Sequence, residues 1–543
     1  MAVWSAHERA IQQWIAVGDA PENALMRRPD CQVVQHRIGH SSCPSGTVPV
    51  QDMLTEYRRR FIDYRSTSTE MALLCRKGLR RATESLAIFR EHRDLFSVGM
   101  IGQLRDYLKL QGEGGTGERE LIGARRLLGF SIEGRLTSAA LEIDEELARQ
   151  SVDPRVIEAP GLLDDLYGEQ LELHRRTAKE LGYADLLHLR TELDGIDYVG
   201  LVGLAGRLLE LTERVAERSL AAMLRRERQL PLHQASRADL AALELSGAGA
   251  HALRFETRLA RYADLFADLG FRTDQQTGLE LCRLSDSVAM PSDLPDVWSV
   301  RPPERITLGY RPLDGRSAER AFWQSAGAAQ MAAWTSASLA PEFQYPVVAS
   351  DHTLPLAWGM LFDGLLGERQ WLTIAFGHTG TDDFLSGIRC LRLIELRLAA
   401  ARLIYEVEYL KGQVSTRAGD RYRELLGLAL LIPVSPGDSD DYRRGIGRIR
   451  GVALSSVTSR FGLHPPGAAS LLRAAVFESQ CREHLKSSYG SDWWRNRRAG
   501  EMLIDVWNTG YRYPPDELAR MVGFGPLDFQ WLIDELLREN NEQ

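Results

Sequence analysis

From Met53 onward the apolar residues of this chain recur at helical spacing. Leu54, Tyr57, Phe61 and Tyr64 fall three or four positions apart, and Leu86 through Phe96 continue the pattern. Residues so spaced line one face of a helix, because a turn takes 3.6 residues, and that face must be buried against a neighbour. The same period fills residues 118–230 and resumes after a polar, less regular stretch around 228–250. The expected fold class is therefore all-α, with a few short strands near residues 281–310. Residues 21–50 mix Pro, Gly, Ser and Cys without helical period and read as an irregular extension. The glycine-rich Gln111–Gly117 lacks the G-K-S/T ending of a phosphate loop and follows no strand, so it reads as an interhelical turn. Gly182 suits a left-handed cap at the end of the helix that contains Glu169. No internal repeat is visible.

Composition narrows the function classes. With 44% hydrophobic and 26% charged residues in 543, the chain can bury a large core. A formal charge of −8 argues against a general nucleic-acid binder, which needs a concentrated basic face to displace counterions. Clusters such as Arg58–Arg60 and Arg495–Arg498 read as solvated helix faces. The six cysteines show no C-x-x-C spacing and read as reduced thiols. The first residues lack a basic segment followed by an apolar core, and the longest apolar run, Leu425–Val434, is broken by Pro433. The expectations are a cytoplasmic location, no membrane partner and no nucleic acid.

The helix AFWQSAGAAQMAAWT over Ala321–Thr335 carries the functional signal. In zinc peptidases with H-E-x-x-H, histidines four apart put both imidazoles on one helical face, and the Glu between them activates the bound water. Gln324, Ser325 and Ala328 occupy those three places here. The surroundings resemble the peptidase M3 family of oligoendopeptidase-like enzymes, whose helix commonly runs L-F-H-E-x-G-H-A-L-H. Phe322, Trp323, Gly327 and Ala329 fit that frame, and Ile306–Gly315 resembles the strand and turn before it. Asp351–Leu366 resembles the family stretch ending T-E-G-Y-A-F-L-F-E, which puts Leu356 at the third-ligand position. Leu471–Gln480 resembles Y-L-R-A-W-x-F-E-A-Q, with Leu471 in place of the tyrosine. The resemblance covers residue 53 to the end. It implies a two-lobed helical clamshell around a central channel, with the former metal site on the channel floor. The implied division is an irregular extension over 1–52, an N-terminal helical lobe over 53–230 and a zincin-like helical lobe over 231–543.

Gln324, Ser325, Ala328 and Leu356 cannot supply the N, S or carboxylate donors of catalytic zinc, so zinc is expected to be absent. Candidates to line the channel are Trp323, Trp334, Asp351, His352, Trp358, His378 and Glu478. The tryptophans read as core ahead of channel lining, and the loop polars, with Asp382 and Asp383, as helix caps and turn residues ahead of a site. Asp351, His352, His378, Asp382 and Asp383 also offer a relocated metal site, and His36 and His40 with Cys31 and Cys43 a second conceivable one. Ser325 has neither a nearby histidine nor a G-x-S-x-G frame and is not expected to be a nucleophile. The leading reading is a catalytically inactive M3-like pseudopeptidase that holds a peptide, another ligand or a partner protein in its channel. The alternative is an enzyme with changed chemistry in the same cavity, using Asp351, His352, His378 and Glu478. A third reading is a structural subunit with an interface built on Trp493, Trp494 and Trp507.

Overall fold

The helical period becomes helices in a computed structural model, which describes residues 50–77, 79–80, 84–113, 117–150, 164–246, 253–284, 296–346, 351–377, 382–412, 418–434 and 467–541. His36, His40, Cys31, Cys43, His378 and most of the 21–50 stretch lie outside the described residues. The chain forms two units, Met1–Tyr57 and Arg58–Gln543. In the first, the described residues are helical from Val50 rather than from Met53. The boundary expected at residue 230 falls within the second.

The first helices are α1 (Val50–Arg76), α2 (Glu84–Glu91), α3 (Val98–Glu113), α4 (Glu118–Gln150), α5 (Asp164–Glu180), α6 (Leu186–Asp194), α7 (Tyr198–Arg228), α8 (Arg237–Ser246) and α9 (Arg258–Asp268). Three strands follow, β1 (Leu279–Arg283), β2 (Val297–Arg301) and β3 (Arg305–Tyr310). The remaining helices are α10 (Arg316–Trp334), α11 (Pro341–Gln344), α12 (Thr353–Asp363), α13 (Arg369–Phe376), α14 (Asp382–Leu410), α15 (Ala418–Leu430), α16 (Gly467–Tyr489), α17 (Arg497–Trp507), α18 (Pro515–Met521) and α19 (Phe529–Asn541). No helix among the described residues is long and apolar enough to cross a membrane.

Local chemistry sets these boundaries. Asp197 opens α7 by accepting the Gly200 N–H at 2.9 Å, and arginines 225, 226 and 228 favour its negative end. Gly182 does take a positive φ, 90°, after α5. The stretch around 228–250, expected to be less regular, contains α8. There the Asp239 carboxylate accepts the Ser236 N–H at 2.9 Å, while the Asp239 N–H donates to Ser236 Oγ at 3.4 Å. This reciprocal capping satisfies donors that a short helix would otherwise leave open.

The strands lie where the sequence placed them. They form one small sheet in the order β1-β3-β2, with β1 parallel and β2 antiparallel to β3. Two large apolar clusters hold the second unit together. One gathers α7, α14, α15 and α19; the other gathers α9, the sheet, α10, α12 and α17. Helix α16 belongs to both, with Leu472, Ala475 and Val476 in the first and Ala474, Phe477, Cys481 and Leu485 in the second. Trp493, Trp494 and Trp507, considered above for an interface, are at most 2% exposed and belong to the second cluster.

Candidate functional site

Helices α10 and α12 carry the positions singled out by the sequence. After β3 the chain reaches Gly315, whose φ of 96° favours glycine, and α10 begins. Helix α12 begins after Asp351, whose Oδ1 accepts the Thr353 N–H at 3.0 Å. The two helices meet backbone to backbone. A Cβ on Gly327 would lie 2.2 Å from the Trp358 carbonyl oxygen, and one on Gly359 would lie 2.6 Å from that of Gln324. Only glycines permit this approach.

At that crossing each side chain that the sequence motifs align with a metal ligand or base is committed or apolar. Gln324 Nε2 donates to Asp363 Oδ2 at 3.0 Å. Ser325 Oγ donates to the Ala321 carbonyl at 2.8 Å and accepts the Asp296 N–H at 2.9 Å. Such a hydroxyl has no base to activate it. Ala328 and Leu356 are buried hydrocarbon, and Leu471 packs partly buried against the first apolar cluster. This donor set does not fit zinc, which needs three N, S or carboxylate ligands from the protein. Among the described residues no group of three His, Cys, Asp or Glu could hold a metal ion.

The crossing is occupied by an ion network that the sequence reading missed. Asp363, at the end of α12, accepts from Arg320 Nε at 3.1 Å, and Arg320 Nη2 donates to Glu395 at 2.8 Å. Burial raises the Asp363 carboxyl above its ordinary range, with Arg320 opposing. The visible signal was Arg320 four residues before Gln324, which puts both on one face of α10.

The other candidates divide between core and ion pairs. Trp323 is fully buried, with Nε1 donating to Glu319 at 3.0 Å, and Trp358 packs edge-on against Phe477 and Trp507 at 5.2 and 5.9 Å between centroids. Both are core residues, because their ring contacts belong to the second cluster. Trp334 is half-buried with its ring edge-on to Phe271 at 5.8 Å. Glu478 is buried and accepts from Arg482 Nε at 2.6 Å and Arg392 Nη2 at 2.8 Å, so it holds an ion cluster together. Asp383 pairs with Arg226 at 3.0 Å and Asp382 with Arg369. Asp351 and His352 are half-buried; Asp351 Oδ2 lies 3.5 Å from Arg473 Nη1, and the His352 N–H donates to Ser470 Oγ at 3.2 Å. Cys75, Cys282, Cys390 and Cys481 are all buried.

No protein-family model matches the chain, and no curated protein matches it. Solved structures do. The M32 carboxypeptidase from Deinococcus radiodurans R1 is 14% identical, with a TM-score of 0.62 over 91% of this chain and 99% of that one. A Pyrococcus furiosus carboxypeptidase is 13% identical, with a TM-score of 0.62 over 90% and 98%. A putative oligoendopeptidase F is 14% identical, with a TM-score of 0.54 over 91% and 95%. The neighbours thus extend beyond the oligoendopeptidases that the motifs resemble. The chain has the helical fold that these carboxypeptidases share with an oligoendopeptidase F.

Proposed function

We propose that this protein uses a metallopeptidase fold as a ligand-binding scaffold, without the zinc-dependent cleavage that the fold elsewhere supports, and that it holds a peptide or protein segment. One observation carries the reading. At the four positions where the motifs align with metal ligands and base, Gln324 is bonded to Asp363, Ser325 is bonded at both ends of its hydroxyl, and Ala328 and Leu356 have no donor at all. Water activation fails when one of these functions is missing, and here all are. Fold alone does not transmit activity.

The test uses the full chain purified without chelator. Its metal content is measured by inductively coupled plasma mass spectrometry. Cleavage of fluorogenic peptides is followed with and without chelator, and binding of a labelled random-peptide pool is followed by fluorescence anisotropy. The expected result is no stoichiometric transition metal, no chelator-sensitive cleavage and saturable peptide binding. Chelator-sensitive cleavage removes the scaffold reading; an absence of binding removes the ligand.

A further inference from the structure

A second group of polar residues lies around Asp351, five residues before Leu356. Its hub is the segment Glu342–Tyr345, which includes most of α11. Arg58 pairs with the Glu342 carboxylate at 2.5 Å, and Gly123 of α4 leaves the space for it. One turn along α4, Arg126 Nε donates to the Glu342 carbonyl at 2.9 Å, and its guanidinium carbon stands 5.9 Å from the Phe343 ring centroid. The Tyr511 N–H donates to the Phe343 carbonyl at 2.8 Å, which fixes the tyrosine beside the same segment.

The charges here do not close. Asp351 acts electrostatically on Arg126, Arg473 and Tyr511. Its own contact with Arg473 is long, 3.5 Å, and Arg473 makes its short bond, 2.7 Å, to Asp516. Among the described residues Arg126 has no carboxylate at ion-pair distance, and the Tyr511 hydroxyl has no hydrogen-bond partner. Both side chains are half-buried rather than sealed, so a solute can reach them. A guanidinium withdrawn from water with only a backbone carbonyl to bond is incompletely compensated; two parallel bonds to an oxyanion are its best complement.

We propose that Arg126, Arg473 and the Tyr511 hydroxyl, grouped around Asp351, bind the oxyanion of a ligand, carboxylate or phosphate. Arg126 and Tyr511 donate directly, and Arg473 adds charge while bonded to Asp516. Asp351 keeps the two guanidinium groups together when the oxyanion is absent. Burial lowers the Arg126 pKa, the direction expected of a cation short of counter-charge. The inference rests on the ligand-binding reading above and names the group by which the ligand is held.

The experiment titrates sodium acetate and inorganic phosphate into the full chain at constant ionic strength, with chloride as reference, and reads the thermal midpoint and the heat of binding. Arg126→Gln, Arg126→Lys and Tyr511→Phe are compared with Arg272→Gln, a surface residue paired with Asp274. Circular dichroism checks each fold. Saturable binding of either anion is expected, weakened about tenfold or more by Arg126→Gln, less by Arg126→Lys and Tyr511→Phe, and unchanged by Arg272→Gln. The preferred anion identifies the group as planar carboxylate or tetrahedral phosphate. Where Arg126→Gln does not fold, Tyr511→Phe decides, and wild-type affinity in that variant overturns the site. Anion effects no greater than those of chloride overturn it as well. If labelled peptides still bind in that case, the ligand-binding reading stands alone; if they do not, both fall.

Discussion

Glu535 keeps its charge inside the protein because two guanidinium groups face it. Burial pushes its carboxyl up, but Arg482 at 2.7 Å and Arg392 at 3.5 Å, with the Ser479 hydroxyl at 2.7 Å, outweigh burial and hold it at about 2. A depressed carboxyl stabilises the folded state above its ordinary pKa and loses that contribution as pH falls toward the folded value. The thermal midpoint should therefore drop as pH falls from 4.5 toward 2, and Glu535→Gln should flatten that part of the profile. Scanning calorimetry at several pH values checks this; an unchanged slope in the variant assigns the acid sensitivity elsewhere. At this scale the sequence showed which residue types stand at 324, 325, 328 and 356, but not what they touch. Asp363 is far from Gln324 along the chain, and spacing along one helix reports faces rather than partners on another. Arg126 and Tyr511 went unnoticed for the same reason, because the segment that joins them is a third piece of chain.

The contact of α10 with α12 depends on absent side chains. Gly327→Ala places a methyl 2.2 Å from a backbone oxygen that cannot swing aside, so the helices must separate. The expected cost is about 1–3 kcal/mol or more, read as a lower midpoint in urea. Gly206→Ala on α7 meets nothing within 4 Å. There the gain in helix propensity should leave stability unchanged or raise it by up to about 1 kcal/mol. Equal effects of the two substitutions would deny the crossing its special closeness. The long helices were legible because their apolar stripes repeat over several turns. Helix α8 was not, since it is only ten residues long and its start is fixed by the Ser236–Asp239 exchange of hydrogen bonds rather than by a stripe that repeats over several turns. The strands were legible as a region and not as a sheet, because β1 pairs with β3 across the intervening β2.

For the second unit as a whole, the all-α class was legible from periodicity, and its likeness to metallopeptidases from three separated motifs. The likeness in fold to carboxypeptidases was not, since a 13–14% identity leaves few positions in common. Helix α16 decides how this unit behaves, because its residues alternate between the two apolar clusters. Neither cluster can lose α16 and keep its own packing, so calorimetry should show one transition for residues 58–543 rather than two. Two resolved transitions would mean that the clusters melt independently. Arg473 lies in the second turn of this helix. An anion held there would slow amide exchange far from itself, in α15 on one side and α17 on the other, so that occupancy of a small polar site would be felt as stiffness throughout the unit.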